Sequence, residues 1–297
     1  MKTRDIAINK ITDGYAIKFN AMASPCEVLL ETKDAVLAKN IGRIVSQEVW
    51  RIEDKYSRYN PESVCSRINS GNGGSIEIDH ETKLLLDFAG KCYQLSDGMF
   101  DITSGALRKI WHFDCSDQIP STYQVTSWLN HIGWEKVSIT DHQILLPDKM
   151  ELDFGGIGKE YAVDRAMLLV AEHTHAPTLI NLGGDLSVNG PRKNNRPWQV
   201  AIDHPGYAST RKTTVSLYSG ALATSGDSNR YLLKDGKRYS HVLNAKTGWP
   251  VESAPSSVTV AAPQCVQAGI LATLALLQGK EAETFLQEQD VKYWALR

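Results

Sequence analysis

The residues best suited to chemistry lie in one short stretch, where three glycines fall within positions 155–158 and Lys159 follows them. Residues 150–154 have a strand pattern, and the apolar spacing predicts a helix from 157 to about 173. A helix N-terminus offers unpaired backbone N–H groups and a positive dipole end, and glycine lets a ligand approach that backbone. The stretch therefore predicts a phosphate-binding turn, with a plain tight turn as the alternative because such turns are common.

Other polar turns carry residue types that could complete such a site. Asp101 and Thr103 follow Gly98 in a loop before a helix, where they could bind a ligand or simply cap that helix. Tyr59, in a polar loop, could stack on a flat ring, and a diphosphate ligand would favour a hard cation held by oxygen ligands. His241 is a candidate proton carrier because the unperturbed pKa of histidine lies near neutrality, although a single histidine is often structural.

The composition narrows the class of protein. A chain of 297 residues, 42% hydrophobic and 22% charged, is ordinary for a soluble globular protein with a full core. The formal net charge of −2 gives no reason to expect nucleic acid or an anionic membrane as partner. The five cysteines are scattered and form no CxxC pair, which favours free thiols. Because no apolar run resembles a signal peptide or a transmembrane helix, we expect a cytoplasmic protein, or an exported domain without its signal.

The elements that must position these residues follow from the spacing of apolar side chains. Asp34 is the expected N-cap of a helix that runs to about Tyr56, and residues 80–95 are predicted to form a second helix. The side chains expected to face inward on that second helix are Leu84, Leu85, Leu86 and Phe88. Strands are predicted at 15–19, 27–31, 178–182 and 257–262, a hairpin at 137–146, and a late helix at 264–278. Helices and strands alternate without a regular βαβ rhythm, so the sequence predicts a mixed α/β (α+β) fold.

Several of these segments, in this order and spacing, resemble the ApbE-type FAD:protein FMN transferases, or flavin transferases. The matching segments cover nearly the whole chain: 22–24, 57–59, 63–69, 98–111, 152–164, 181–185, 223–227, 239–250 and 257–279. The resemblance implies one T-fold-like domain over residues 1–297, with two intertwined lobes and the FAD site between them. It also implies FAD as substrate, Mg²⁺ at its pyrophosphate, and an acceptor flavoprotein as partner.

The resemblance also implies roles for particular residues. The positions that would contact FAD are Met22, Tyr59, Met99, Phe100, Asp101, Asp153, Lys159 and the backbone of Leu243. The magnesium ligands would be the backbone carbonyl of Gly156 and two side chains one helical turn apart near the C-terminus. Thr273 occupies the second of these positions, and Gly269 stands where the family usually has an aspartate.

Gly269 is therefore the main departure from the family pattern. A carboxylate ligand to a hard cation is missing there, and no neighbouring residue in the sequence obviously replaces it. Two milder departures are Glu160, where a glycine is usual, and Asn244-Ala245, where Asp-Pro is usual. Asp185 and Asp227 are expected to cap turns or order loops.

The favoured hypothesis is transfer of FMN from FAD to a threonine or serine hydroxyl of an acceptor flavoprotein, with release of AMP and with His241 as the base. A second hypothesis is an FAD-binding protein with weak or lost transferase activity and slow FAD hydrolysis, motivated by Gly269. A third is a globular protein that has lost the ligand.

Overall fold

A computed structural model describes residues 4–114, 116–203, 212–226 and 231–297. The strands of the described residues are β1 (Ala7–Ile11), β2 (Gly14–Ala21), β3 (Ser24–Leu30), β4 (Ser75–Glu77), β5 (Ser138–Ile139), β6 (Gln143–Leu145), β7 (Thr178–Leu182), β8 (Asp185–Val188), β9 (Trp198–Asp203), β10 (Lys212–Leu217), β11 (Gly220–Gly226), β12 (Tyr231–Lys234), β13 (Lys237–Ser240), β14 (Leu243–Asn244), β15 (Trp249–Pro250), β16 (Ser257–Ala262) and β17 (Lys292–Leu296). The α-helices are α1 (Ala35–Tyr56), α2 (Val64–Asn69), α3 (His80–Leu95), α4 (Thr122–Leu129), α5 (Gly158–His173), α6 (Cys265–Leu277) and α7 (Ala282–Glu288).

The largest sheet has eight strands in the order β1-β2-β3-β7-β8-β11-β16-β17, and every neighbouring pair is antiparallel. Antiparallel pairing throughout excludes a doubly wound parallel sheet. The mixed α/β (α+β) prediction is therefore confirmed.

Three helices pack beside one another on this sheet: α1 contacts β2, α5 contacts β7 and β8, and α6 contacts β11 and β16. Helix α5 lies between the other two, because it contacts both α1 and α6. Strand β8 is buried throughout, β16 is buried at its first four residues and β11 at Ala221–Ala223, as expected for strands beneath helices. The glycine turn before α5 contacts both α5 and α6.

Helix α1 shows how local signals set these elements. Its N-cap is Asp34, whose side chain accepts hydrogen bonds from Val36 N and Leu37 N, and the helix ends at Tyr56 as predicted. Helix α3 spans the predicted residues 80–95.

A second, smaller apolar cluster lies beside α4. Its buried members include Leu107, Trp111, Val125 and Leu232, and the flanking strands β13, β14 and β15 contribute partly buried side chains. The indole Nε1 of Trp111 donates to the carbonyl of Gly248 at 3.0 Å, which fixes the turn between β14 and β15.

Some local predictions were wrong. Leu84 is 55% exposed, because three consecutive helical residues span 200° and cannot all face one core. Residues 150–153 form only a single bridge, between Glu151 and Ser104, and a 3₁₀ turn begins at Phe154. The polar turn expected at 224–227 is, as far as Gly226, part of β11, and Asp227 lies outside the described residues.

Candidate active site

The glycine turn leads directly into α5. Phe154–Gly156 forms a 3₁₀ turn, Gly155 and Gly156 are exposed to solvent, and α5 begins at Gly158. Helix α5 has no side-chain hydrogen bond at its N-cap, Ile157, so its first-turn amides lack a side-chain cap, which suits an anion. The phenyl ring of Phe100 would lie 3.2 Å from a Cβ placed on Gly156, which leaves little room for a side chain there.

Asp153 links this turn to the predicted flavin contact Tyr59. One carboxylate oxygen of Asp153 accepts from Gly155 N at 2.9 Å, and the other forms an ion pair with Arg58 Nη1. Arg58 Nη2 donates to the hydroxyl of Tyr59 at 2.8 Å, and its Cζ lies 5.0 Å from the centre of the Tyr59 ring. Tyr59 is nevertheless 79% exposed. The arginine thus orients an aromatic ring whose surface is open to a ligand.

Lys159 lies at the opposite side of the turn and forms an ion pair with Asp185, with Nζ and Oδ2 2.7 Å apart. The other oxygen of Asp185, which is buried, accepts from Thr224 N at 3.1 Å, so this carboxylate joins α5 to β8 and β11. Burial opposes the charge on Lys159, but Asp185 outweighs it and the pKa of Lys159 is raised. Lys159 therefore stays protonated at neutral pH.

Asp101 is buried, and each of its carboxylate oxygens accepts a hydrogen bond from a backbone N–H group. Its Oδ1 accepts from Thr103 N and its Oδ2 accepts from Trp134 N, both at 2.8 Å, while Thr103 Oγ1 accepts from Gly133 N. Burial raises the pKa of Asp101 despite these hydrogen bonds. Asp101 thus orders the loop and does not cap the following 3₁₀ helix, Gly105–Lys109, which has no side-chain cap; its contact with FAD stays a prediction.

The loop that carries Met99 and Phe100 contacts the segment after β14. The carbonyl of Met99 accepts from Ala245 N at 2.9 Å, two residues after the predicted flavin contact Leu243. Met22 occupies the tight turn between β2 and β3 with a positive φ of 50°, and its N–H donates to Glu53 Oε1 at 2.8 Å. Gly183, whose Cβ would lie 4.0 Å from Lys159 Nζ, packs on Ser24 in the same region.

His241 lies between β13 and β14 and is half-buried. Its ring packs edge-on against Phe113, with 6.3 Å between ring centroids. The strand pattern predicted for 239–244 is interrupted at this point, because β13 ends at Ser240 and β14 begins at Leu243. His241 therefore borders the second apolar cluster, because Phe113 packs against that cluster. The hydrogen bond from Ala245 N, in the cluster, to the carbonyl of Met99 connects the cluster to the loop that carries Phe100.

Helix α6 carries the two predicted metal positions. Thr273 Oγ1 donates to Ser225 Oγ at 3.2 Å, and Gly269 is buried one turn earlier on the helix. A Cβ on Gly269 would lie 2.6 Å from Glu160 Cγ and 2.7 Å from Glu160 Oε1. The Glu160 side chain, which extends from α5, therefore fills the space beside Gly269. The carboxylate beside Gly269 thus comes from a distant position in the sequence, whereas the expectation concerned only residues adjacent to Gly269.

The Glu160 carboxyl group is in an unusual environment. Its Oε2 is shielded from solvent and has no hydrogen-bond partner among the described residues, although the residue as a whole is only partly buried. Burial, reinforced by the negative charge of Asp185, raises the pKa of Glu160 well above its ordinary value. Among the described residues no three His, Cys, Asp or Glu side chains cluster as a metal site would require, so any cation here would depend on other oxygens.

Three participants were not singled out as site residues from the sequence. Arg58 directly precedes Tyr59. Its ion pair with Asp153 could have been suspected from the sequence, because the two residues carry opposite charges and both lie in segments that resemble the family. Ser225 and Glu160 gave no such signal, because their partners Thr273 and Gly269 lie 48 and 109 positions away in the sequence and meet them only through helix packing.

Comparison with known proteins defines the class. The profile of the ApbE family matches residues 22–295. The FAD:protein FMN transferase of Chlamydia pneumoniae is 30% identical over 99% of this chain and 88% of its own length, and that of Escherichia coli K12 is 32% identical over 84% and 74%. The crystal structure of the ApbE protein from Thermotoga maritima superposes with a TM-score of 0.86 at 28% identity, covering 95% of this chain and 93% of that one.

The chain therefore belongs to the ApbE family. The relatives favour a transferase, and they do not favour an FAD-binding protein without transfer over it. No helix in the described parts of the chain is long and apolar enough to cross a membrane.

Proposed function

We propose that this protein is an FAD:protein FMN transferase. It moves FMN from FAD to a threonine or serine hydroxyl of an acceptor flavoprotein and releases AMP. The activity named for its relatives supports the proposal, and the feature of this chain that carries it is the exposed glycine turn at the N-terminus of α5.

In this reaction the acceptor hydroxyl oxygen attacks the phosphorus on the FMN side of the pyrophosphate. The bond from that phosphorus to the bridging oxygen breaks, and the bridging oxygen leaves as part of AMP. The hydroxyl proton passes to a base, for which His241 is our candidate. Phosphoryl-type transfer of this kind depends mainly on positioning and on stabilisation of charge.

Two groups of residues in this chain would bind two different parts of FAD, the pyrophosphate and the flavin ring. The amide of Gly156, the start of α5 and the charged Lys159 suit the pyrophosphate, because they place N–H donors and positive charge at one turn, whereas the N–H of Gly155 already donates to Asp153. Tyr59, held by Arg58, suits the flavin ring as a stacking surface. We place Met22, Met99, Phe100, Asp101, Asp153 and Leu243 around the same ligand.

Magnesium is the cation we propose at the pyrophosphate, where it supplies positive charge. The carbonyl of Gly156 and the hydroxyl of Thr273 are hard oxygen donors on adjoining elements, since the turn Phe154–Gly156 contacts α6. One oxygen of Glu160 is shielded from solvent and has no hydrogen-bond partner among the described residues, which supports the proposal of a cation in this region. Magnesium commonly binds through one or two carboxylates together with substrate phosphates, so a cluster of three acidic side chains is unnecessary.

The test mixes the protein with FAD, Mg²⁺ and a flavin-acceptor domain, followed by mass spectrometry of the acceptor and chromatography of the nucleotides. We expect FMN on one acceptor Thr or Ser and an equal amount of AMP. Release of AMP without labelling of the acceptor would indicate hydrolysis, and bound FAD without AMP would indicate a binding protein; either result would overturn the proposal.

A further inference from the structure

We infer that Glu160 is a cation ligand and that it delivers from α5 the carboxylate that position 269 of α6 lacks. The inference rests on the proposed function only for the pyrophosphate that would share the cation. It assigns to this chain a ligand on a different helix from the one that the family resemblance implies.

The first argument is the register of the two helices. Asp164 on α5 accepts from Cys265 N at 2.8 Å and from Val266 N at 3.0 Å, and so caps the start of α6. One turn earlier on α5, Glu160 contacts Gly269, which is one turn later on α6. The helices therefore run antiparallel with matched turns, and each α5 carboxylate faces one position of α6.

The same spacing continues to the proposed cation donors. Gly156 lies four residues before Glu160, in the 3₁₀ turn that precedes α5, and Thr273 lies four residues after Gly269 on α6; this turn contacts α6. In both segments the Glu160–Gly269 contact therefore lies, along the sequence, between the Asp164 cap and one of the two proposed oxygen donors.

The second argument is the difference between the two α5 carboxylates. Asp164 is satisfied by two backbone amides, whereas Glu160 Oε2 is shielded from solvent without any described hydrogen-bond partner. A buried unpaired carboxylate oxygen is costly, and a cation removes that cost. Lys159, the adjacent basic residue, is already paired with Asp185.

The third argument is that side chains at positions 160 and 269 compete for the same space. Any side chain at 269 would begin 2.6 Å from Glu160 Cγ, so the absence of a Cβ at Gly269 is what gives the Glu160 carboxyl its place. Glycine inside a helix costs about 1 kcal/mol relative to alanine. A glycine at this position is explained if it leaves room for a carboxylate that binds a cation.

The experiment measures binding of Mn²⁺, as a substitute for Mg²⁺, by the loss of its free EPR signal in the presence of FAD without acceptor. Four variants are compared with the full chain: Glu160→Gln, Gly269→Asp, the double variant Glu160→Gly/Gly269→Asp, and Glu172→Gln. Glu172 is an exposed glutamate near the other end of α5 and serves as the matched control.

We expect Glu160→Gln to weaken Mn²⁺ binding by at least about tenfold, since loss of even an outer-shell partner costs about 10–100-fold in metal affinity. Gly269→Asp should gain no affinity and should lower the melting temperature, because its Cβ would displace Glu160. The double variant should regain most of the affinity, whereas Glu172→Gln should match the original protein.

A melting-temperature series separates ligation from packing. Adding Mg²⁺ to the FAD complex should raise the melting temperature of the original protein and of the double variant further, and should raise that of Glu160→Gln by less; in EDTA Glu160→Gln should be at least as stable as the original protein. Equal Mn²⁺ affinity in the original protein and Glu160→Gln, including no binding by either, would overturn the inference. Transfer of FMN to the acceptor by the original protein is measured separately, so a result that excludes Glu160 as a ligand does not exclude the proposed function.

Discussion

Arg58 determines how Tyr59 is presented. The guanidinium group bonds Asp153 on one side and the Tyr59 hydroxyl on the other, while the ring itself remains 79% exposed. A large apolar ring kept exposed in one orientation contributes little to folding, but it lowers the entropy lost when a flat ligand stacks on it.

Tyr59→Ala should therefore weaken FAD binding with little change in melting temperature. Stacking of a base on an aromatic side chain is worth about 1–3 kcal/mol, which corresponds to a rise in Kd of about 5- to 150-fold. Quenching of flavin fluorescence gives the Kd. Tyr123→Ala, at an 83% exposed tyrosine on α4, is the control and should leave the Kd unchanged. A similar loss in both variants would argue against a specific role for Tyr59.

His241→Gln tests the proposed base. The proton transfer that a general base provides is typically worth about 10²–10⁴-fold, so kcat for acceptor labelling should fall by that order while the Kd for FAD is kept. His175→Gln, at an exposed histidine after α5, is the comparison and should leave kcat unchanged. If His241→Gln raised the Kd for FAD in proportion to the loss of rate, the histidine would be a binding residue.

At the scale of elements, the ends of the helices could be predicted from sequence better than the tertiary contacts. Asp34 supplied a local capping signal, and α1 begins and ends where that signal placed it. Residues 150–153 resemble a strand but find only one bridging residue, Ser104, because Gly105 packs directly against the carbonyl of Glu151. Strand formation depends on a distant partner, which no local pattern reports.

Asp164 anchors the start of α6, and its removal should affect stability. Asp164→Ala leaves two N–H groups of α6 without their acceptors and should lower the free energy of unfolding by about 1–2 kcal/mol. Asp164→Asn keeps one acceptor oxygen and should cost less. Urea denaturation measures both values, and equal costs for the two variants would show that the cap contributes through shape alone.

Glu81 joins three helices behind the site and makes their packing sensitive to acid. Its carboxylate pairs with Arg51 and Lys55 of α1 and accepts from the Tyr161 hydroxyl of α5. Burial opposes its charge, but these partners outweigh it and hold the pKa of Glu81 far below its ordinary value.

A carboxylate whose pKa is lower in the folded state adds stability above the pKa of the unfolded chain, about 4.3 for glutamate. That contribution is lost as the pH falls through the lower, folded-state value. Glu81→Gln should therefore reduce stability at pH 7 and flatten its decline below about pH 4. Thermal melts across this range measure the effect, and a parallel decline in both proteins would exclude Glu81 as its source.

At the scale of the whole molecule, the antiparallel sheet and its helical layer were predictable as a class, because the helix and strand patterns lack the rhythm of parallel βαβ units. The order of the eight strands was not predictable, since β3 pairs with β7 across well over a hundred residues. The same limit applies to the candidate site, which draws on α5, α6, β11 and the loop before α2. Family resemblance identified the segments, and only the packing showed that Glu160 meets Gly269.

Because the proposed ligand would contact several separate elements, its binding should stabilise the molecule as a unit. FAD at 100 times its Kd, measured at a fixed Mg²⁺ concentration, would add about 2.7 kcal/mol to the folded state. For a domain of this size each kcal/mol raises the melting temperature by about 2–4 °C. Differential scanning calorimetry with FAD, with AMP and without nucleotide checks this, and a rise no larger for FAD than for AMP would place the flavin outside the site.

The contact between α5 and α6 also limits which substitutions can accumulate at positions 160 and 269 during evolution. Positions 160 and 269 share one small volume, so a bulky residue at either demands a minimal one at the other. Single replacements would create either crowding or an empty gap, and the two sites should therefore change together among homologues, as an acid–glycine pair in either orientation. A lineage would have to cross a less fit intermediate to exchange one arrangement for the other, which makes the pair a durable marker of common descent.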